Sequence, residues 1–308
     1  MKLLEIGMVT AVFISFFIFW LGIYVYRNSL QNESSQKWFL LFALSLGSWV
    51  FILGARNVVM LEWRILLQHI TLIPILFAPY LFFRFIKSIF NTEYKMGRGW
   101  LAINTALITY FLYCAITRQF VQLLDTVNFA YTPTYKYHIL IIYCATYFIG
   151  SLLVLWIEVR RYKQHKIQAV LVTAGTLIAV SISVLFVYVL PMFFGIFLAP
   201  YSSIGVAIAG LFFAAAALLG NAFKLNAIVK SGKYVPRLNR VVVIVAVVIY
   251  RYVDTTEFLK KSETFSEQID RTSEKLWELV WYVYRGDATK IKDRIGETAR
   301  EITMGPNL

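Results

Sequence analysis

Hydrophobic residues along this chain fall into long blocks rather than into a short-period alternation. Seven blocks, roughly 6–26, 38–54, 65–86, 100–116, 139–157, 168–190 and 202–220, stand apart between polar connections. Each is long enough to cross the hydrocarbon core of a bilayer, which takes about 20 helical residues. A membrane β-barrel would show segments of about ten residues alternating polar and apolar positions, and none occur. The pattern predicts an all-α polytopic bundle of seven spans. The first block, IGMVTAVFISFFIFWLGIYVY, is too long for the core of a signal peptide. Lys2 is the one basic residue ahead of it and no small-residue cleavage site follows, so it reads as a retained span.

The third block carries the least regular stretch, HITLIPILFAPYLFFRFI (69–86), with Pro74 and Pro79 inside it. Each proline deletes one intrahelical hydrogen bond and crowds the preceding turn, so the span is expected to kink. A bilayer tolerates this where neighbouring helices or water satisfy the freed carbonyls. Arg84 lies towards one end of the stretch and is expected to snorkel; Arg64, Gln68 and His69 lie towards the other. Two readings follow. Either these residues merely shape the bundle, or the kink opens a pocket with Arg64, Gln68 and His69 at its mouth. The connection 117–138 would cover that mouth with rings that include Tyr131 and Tyr135, although interfacial anchoring explains such aromatics equally.

Composition and charge then set the orientation. Hydrophobic residues make up 59% of the 308 and charged residues only 15%, against about a quarter in ordinary globular domains. The net charge is +13, and the 20 Lys and Arg residues up to position 240 divide fifteen to five between alternate connections. The richer side holds RRYKQHK (160–166) and the run after the seventh block. The positive-inside rule predicts the N-terminus outside, the C-terminus in the cytoplasm and an odd number of spans. The basic clusters lack aromatics suited to stacking bases. They therefore point to topology and anionic headgroups, and nucleic acid is not expected as a partner.

Three regions are expected: a transmembrane domain at 1–220, a basic linker at 221–240 and a cytoplasmic tail at 241–308. The linker is interrupted by Gly232 and Pro236. VVVIVAVVIY (241–250) is too short to span and reads as a strand or interfacial segment, with an eighth span as the competing reading. Beyond it, Leu276 and Leu279, then Ile291 and Ile295, belong to two helical seams suited to self-association, to docking or to packing within a small domain.

Candidate chemistry is sparse. The three histidines, His69, His138 and His165, form no HExxH, and no CxxC, GxSxG or phosphate-binding loop is present. The seven blocks contain no acidic residue, which argues against proton-coupled transport and intramembrane proteolysis. Cys114 and Cys144 fall inside apolar blocks and read as structural thiols. No metal site, cofactor or catalytic residue is expected. In the tail, VVIYRYVDTTEFLKKSE resembles class III nucleotide cyclases through Asp254, Phe258, Ser262 and Glu263, with Asp287 after Gly286. Glu257 and Leu259 replace the glycine and threonine usual beside the phenylalanine. The remaining length is too short for that fold, so no cyclase activity is expected.

Three stretches carry a wider resemblance: KWFLLFALSLGSWVFILG, EWRILLQHITLIPILFAPYLFFRFIKSIF and YSSIGVAIAGLFFAAAALLGNAFKLNAIVKSG. Together they resemble the N-terminal seven-transmembrane sensor region of bacterial histidine kinases and related signalling proteins, over about residues 1–230. No phosphoacceptor block or ATP-binding box follows, so the resemblance implies sensing and not kinase activity. The expectation is a multi-pass sensor of the bacterial inner membrane. It would respond to an unidentified small molecule and act through a second copy of itself or a separate cytoplasmic signalling protein. Small-molecule or lipid transport, and an integral-membrane lipid enzyme, are the rival readings.

Overall fold

The computed structural model describes residues 2–27, 34–56, 58–91, 93–123, 131–162 and 165–219. The linker and tail expected at 221–308 lie outside them. Eight α-helices follow in order: α1 (Lys2–Arg27), α2 (Ser34–Ala55), α3 (Leu61–Ile70), α4 (Leu72–Phe90), α5 (Arg98–Ile116), α6 (Tyr135–Arg161), α7 (Lys166–Val184) and α8 (Ser202–Leu219). Among the described residues seven segments are long and apolar enough to cross a membrane. Helices α3 and α4 share one of them, and α7 shares another with a π-helical stretch, Leu185–Phe194. The seven blocks thus become seven spans.

Each irregularity has a proline as its cause. Pro74 has no N–H for the Ile70 carbonyl, and α3 stops at Ile70; Thr71 marks the break before α4 begins. The Thr71 hydroxyl bonds back to the Leu67 carbonyl (2.6 Å), while Ser45 of α2 donates to the Pro74 carbonyl (2.6 Å). Helix α4 continues through Pro79 without interruption. Pro191 sits inside the π-helical stretch, which ends at Gly195 in the left-handed conformation (φ 63°).

Helix α1 packs on α2 and α8, α7 on α8, α2 on α4, and α4 on α6. Small residues allow the closest approaches, as membrane helices lacking a hydrophobic driving force require. A Cβ on Gly54 would lie 2.9 Å from the Met8 carbonyl oxygen. At the centre, Phe82 of α4 meets Phe42 of α2 (5.4 Å between ring centres), Phe148 of α6 (5.2 Å) and Phe213 of α8 (5.7 Å). Outward-facing Phe13, Trp100, Ile142, Leu153 and Phe193 are exposed, as an apolar solvent favours.

The two ends differ. One carries a short antiparallel hairpin that hydropathy did not reveal, β1 (Val121–Leu123) paired with β2 (Tyr131–Pro133) in the register Val121↔Pro133. Thr134, the residue before α6, fastens its base through hydroxyl bonds to the carbonyls of Gln119 (2.7 Å) and Phe120 (2.9 Å). At the opposite end Lys87 of α4 donates to Glu158 of α6 at 2.8 Å. Helix α6 runs past its apolar block, so Glu158, one residue beyond 157, still lies on the helix.

Candidate functional site

The hairpin end lines a half-open cavity of about 20 Å³, space for a single water-sized group. It lies beside the break in the third span, with Gln68, Thr71 and Leu72 on its wall. Trp49 and Leu53 of α2 wall one side, and Gln68 of α3, the breaking residue Thr71 and Leu72 of α4 wall the next. Val121 and Tyr131 of the hairpin, Tyr137 of α6 and Val187 of the π-helical stretch complete the lining. The cavity is therefore a tertiary product of almost every element at this end.

Arg56 is its most unusual wall. The residue follows α2 directly and is only 8% exposed. Its Nε has no hydrogen-bond partner, and neither does Oε1 of Gln68, which is 6% exposed. Two buried polar atoms are thus left unsatisfied on one cavity, where each costs about 1–3 kcal/mol or more for a charged group. Burial pushes the Arg56 guanidinium below its ordinary value and the nearby Arg64 cation adds to this, while Tyr131 and Tyr137 oppose it. Guanidinium nevertheless stays protonated in proteins. Burial raises the Tyr131 phenol, against the pull of Arg56.

The π-helical stretch is tied to this end of the bundle three times. Val187's carbonyl lies four residues before Pro191, which has no N–H to offer it; that carbonyl accepts a bond from Tyr131 Oη at 3.0 Å. His138 Nδ1 and Tyr188 Oη hydrogen-bond at 2.7 Å, and the Tyr137 and Tyr188 rings stack at 6.2 Å.

The family comparison matches the N-terminal 7TM region of histidine kinase over residues 9–226. The chain belongs to that family. Comparison with curated proteins and with solved structures found no match. This 7TM region is thus a seven-span membrane sensor module, as the resemblance implied.

Of the residues singled out from sequence, the structure brings Gln68 and Tyr131 together on the cavity of the 7TM region. His69 is buried beside it with Nδ1 unpartnered but does not line it. Arg64 is partly buried and also off the wall, and Tyr135 is 67% exposed at the start of α6. Pro74 and Pro79 lie within α4, below the break. Sequence reasoning missed Arg56, which it counted only as loop charge. A cation just after an apolar helix reads as a snorkelling or dipole-capping residue, and nothing in the sequence marks it as buried.

Proposed function

We propose that the chain is a non-catalytic receptor of the bacterial inner membrane. It senses a small molecule at its hairpin end, outside, and passes a conformational change to a cytoplasmic partner, either a second copy or a separate signalling protein. The observation that carries this reading is the reach of α4. Its first residue, Leu72, lines the cavity, its Phe82 is the hub of the aromatic cluster, and its Lys87 is paired with Glu158 at the far end. A helix held at both ends shifts both when the break at Thr71 changes, and a proline-bounded break is an element with two available arrangements. Binding favours one arrangement only if the ligand has different affinity for the two. The fifteen-to-five charge split supports the orientation.

The test joins the two ends. Phe90 and Tyr162, whose rings are 6.3 Å apart, are replaced by a cysteine pair in the full chain, with Cys114 and Cys144 changed to alanine. Pro74→Ala should change the rate of disulfide formation at that distant pair. An unchanged rate would sink the coupling. For the orientation, a cysteine at Thr132 should label from outside and one at Ser29 should not; the reverse pattern inverts the receptor.

A further inference from the structure

We infer that α6 and the sixth span frame a lipid groove between them, and that it takes an acyl chain of an anionic phospholipid whose head group lies on Arg160 and Arg161. The two helices are tied at two levels. Trp156 of α6 donates its indole N–H to the Thr173 hydroxyl of α7 at 3.1 Å, and His138 of α6 hydrogen-bonds Tyr188 of the π-helical stretch at 2.7 Å. His138 and Trp156 stand eighteen residues apart on one helix, which is five turns at about 3.6 residues each, so both point the same way. Ile142, Ala145 and Ile149 lie on that line of α6, and Leu177 and Val184 lie on the line of Thr173. The residues between the ties therefore face one another across the two helices. They are nevertheless exposed, Ile142 by 64%, Ile149 by 60% and Leu177 by 57%, with Ala145 and Val184 exposed as well. Facing stripes joined at both ends and uncovered between them bow apart, and the gap is a groove about 27 Å long.

Each helix has another support, since α6 packs on α4 and α7 on α8. Nothing therefore forces the middle of the groove shut, and a Cβ on Gly150 of α6 would meet no atom within 4 Å. The walls belong to two of the segments apolar enough to cross a membrane, so the medium at the groove is hydrocarbon. A second copy is too wide for it. Packed helices stand about 8–10 Å apart between axes, whereas the ties hold these two helices in direct contact at both levels. A single acyl chain is slender enough for a gap bounded in this way. The head-group charge follows from the end of the groove at Trp156. Arg160, one turn beyond Trp156 on the same face, and its neighbour Arg161 are exposed. The one acid of α6, Glu158, is held by Lys87 at 2.8 Å. Two cations beside an apolar groove complement a phosphate of net negative charge, with Trp156 between them at the depth where amphipathic rings settle. The hydrocarbon core is about 30 Å thick, so a chain from one leaflet reaches about 15 Å. Ile149 lies about 10 Å from Trp156 along α6, within that reach.

Photo-crosslinking of the full chain in lipid nanodiscs tests the groove. The probe is phosphatidylglycerol with a diazirine midway along one acyl chain, a minor component of phosphatidylcholine discs, and labelled residues are quantified by mass spectrometry. Phosphatidylcholine with the same diazirine chain is the control lipid. Labelling at Ile149 and Leu177 by phosphatidylglycerol should exceed that by phosphatidylcholine roughly tenfold, as two basic residues at an anionic head group imply. Ile23 of α1, 43% exposed and close to Arg27, should show no comparable preference. Arg160→Gln with Arg161→Gln changes two exposed sites and should bring the preference close to unity. Ala145→Phe fills the groove and should reduce labelling at Ile149 and Leu177 severalfold. Equal labelling by the two lipids would overturn the proposal, as would a preference as strong at Ile23 or one that survives the double arginine change. Should Ala145→Phe fail to fold, the arginine pair decides. A single cysteine at Ile149, with Cys114 and Cys144 changed to alanine, should leave the chain monomeric on oxidation. A disulfide-linked dimer would put a second copy at the groove and overturn the lipid.

Discussion

At the opposite end of the bundle Lys87 meets Glu158 at 2.8 Å and the Arg84 guanidinium lies 4.2 Å from the centre of the Trp38 ring. At the hairpin end Arg56, 8% exposed, has no carboxylate partner among the described residues and an idle Nε on the same cavity as an equally idle Gln68 oxygen. The chemistry is similar and its use is opposite. A paired cation fastens helices, here α4 to α6. A buried cation without such a partner costs stability. The difference separates an end whose charges fasten two helices from an end whose buried polar atoms are left unsatisfied.

The comparison can be broken at its middle, where the largest effect is expected. Phe82→Ala empties the hub that touches α2, α6 and α8 and should cost about 3–5 kcal/mol, seen as a large fall in thermal unfolding temperature in nanodiscs. It should also detach the ends, so that Pro74→Ala no longer alters the Phe90/Tyr162 cysteine pair. Next, Glu158→Gln leaves Lys87 without its counter-charge at a site about a fifth exposed. The expected loss is about 1–2 kcal/mol after allowing for solvent screening, and the double change Lys87→Met with Glu158→Leu should recover most of it.

Arg56→Met sharpens the contrast by reversing the sign. Removing a buried cation that no carboxylate reaches among the described residues should raise stability by about 1 kcal/mol. A fall comparable to that of Glu158→Gln would show Arg56 to be structural and the two ends to be alike. The smallest effect belongs to Ser45→Ala, which removes the bond to the Pro74 carbonyl. Hydrogen bonds between membrane helices average about 0.6 kcal/mol, so the unfolding temperature should move little. The change should be visible as faster hydrogen exchange around Thr71.

Much of this was legible in the chain, for a definite reason. Whether a segment lives in hydrocarbon depends on its summed transfer free energy, which is local and additive, so the seven blocks fixed the seven spans. Proline's missing N–H is also a local property, and the disturbance expected around Pro74 appears as the break at Thr71. Its consequence at Pro79 was not local: α4 continues through that residue, because neighbouring packing and not the proline alone decides whether a helix parts. The hairpin escaped notice because two three-residue strands carry almost no periodic signal, and Thr134 fastens them through bonds to residues 14 and 15 positions away.

The site divides in the same way. Gln68 and Tyr131 could be picked from sequence as polar groups on a broken span and its covering loop. Their meeting with Arg56 could not, since it depends on α2, α3, the hairpin and the π-helical stretch converging at one end. The sequence by itself determined the solvent, the number of spans and the family, all of which follow from composition and short-range pattern. Only the tertiary structure decided which cation is paired and which is left waiting, because that depends on whether a carboxylate arrives from another helix: Glu158 stands 71 residues from Lys87, and no such partner reaches Arg56 among the described residues.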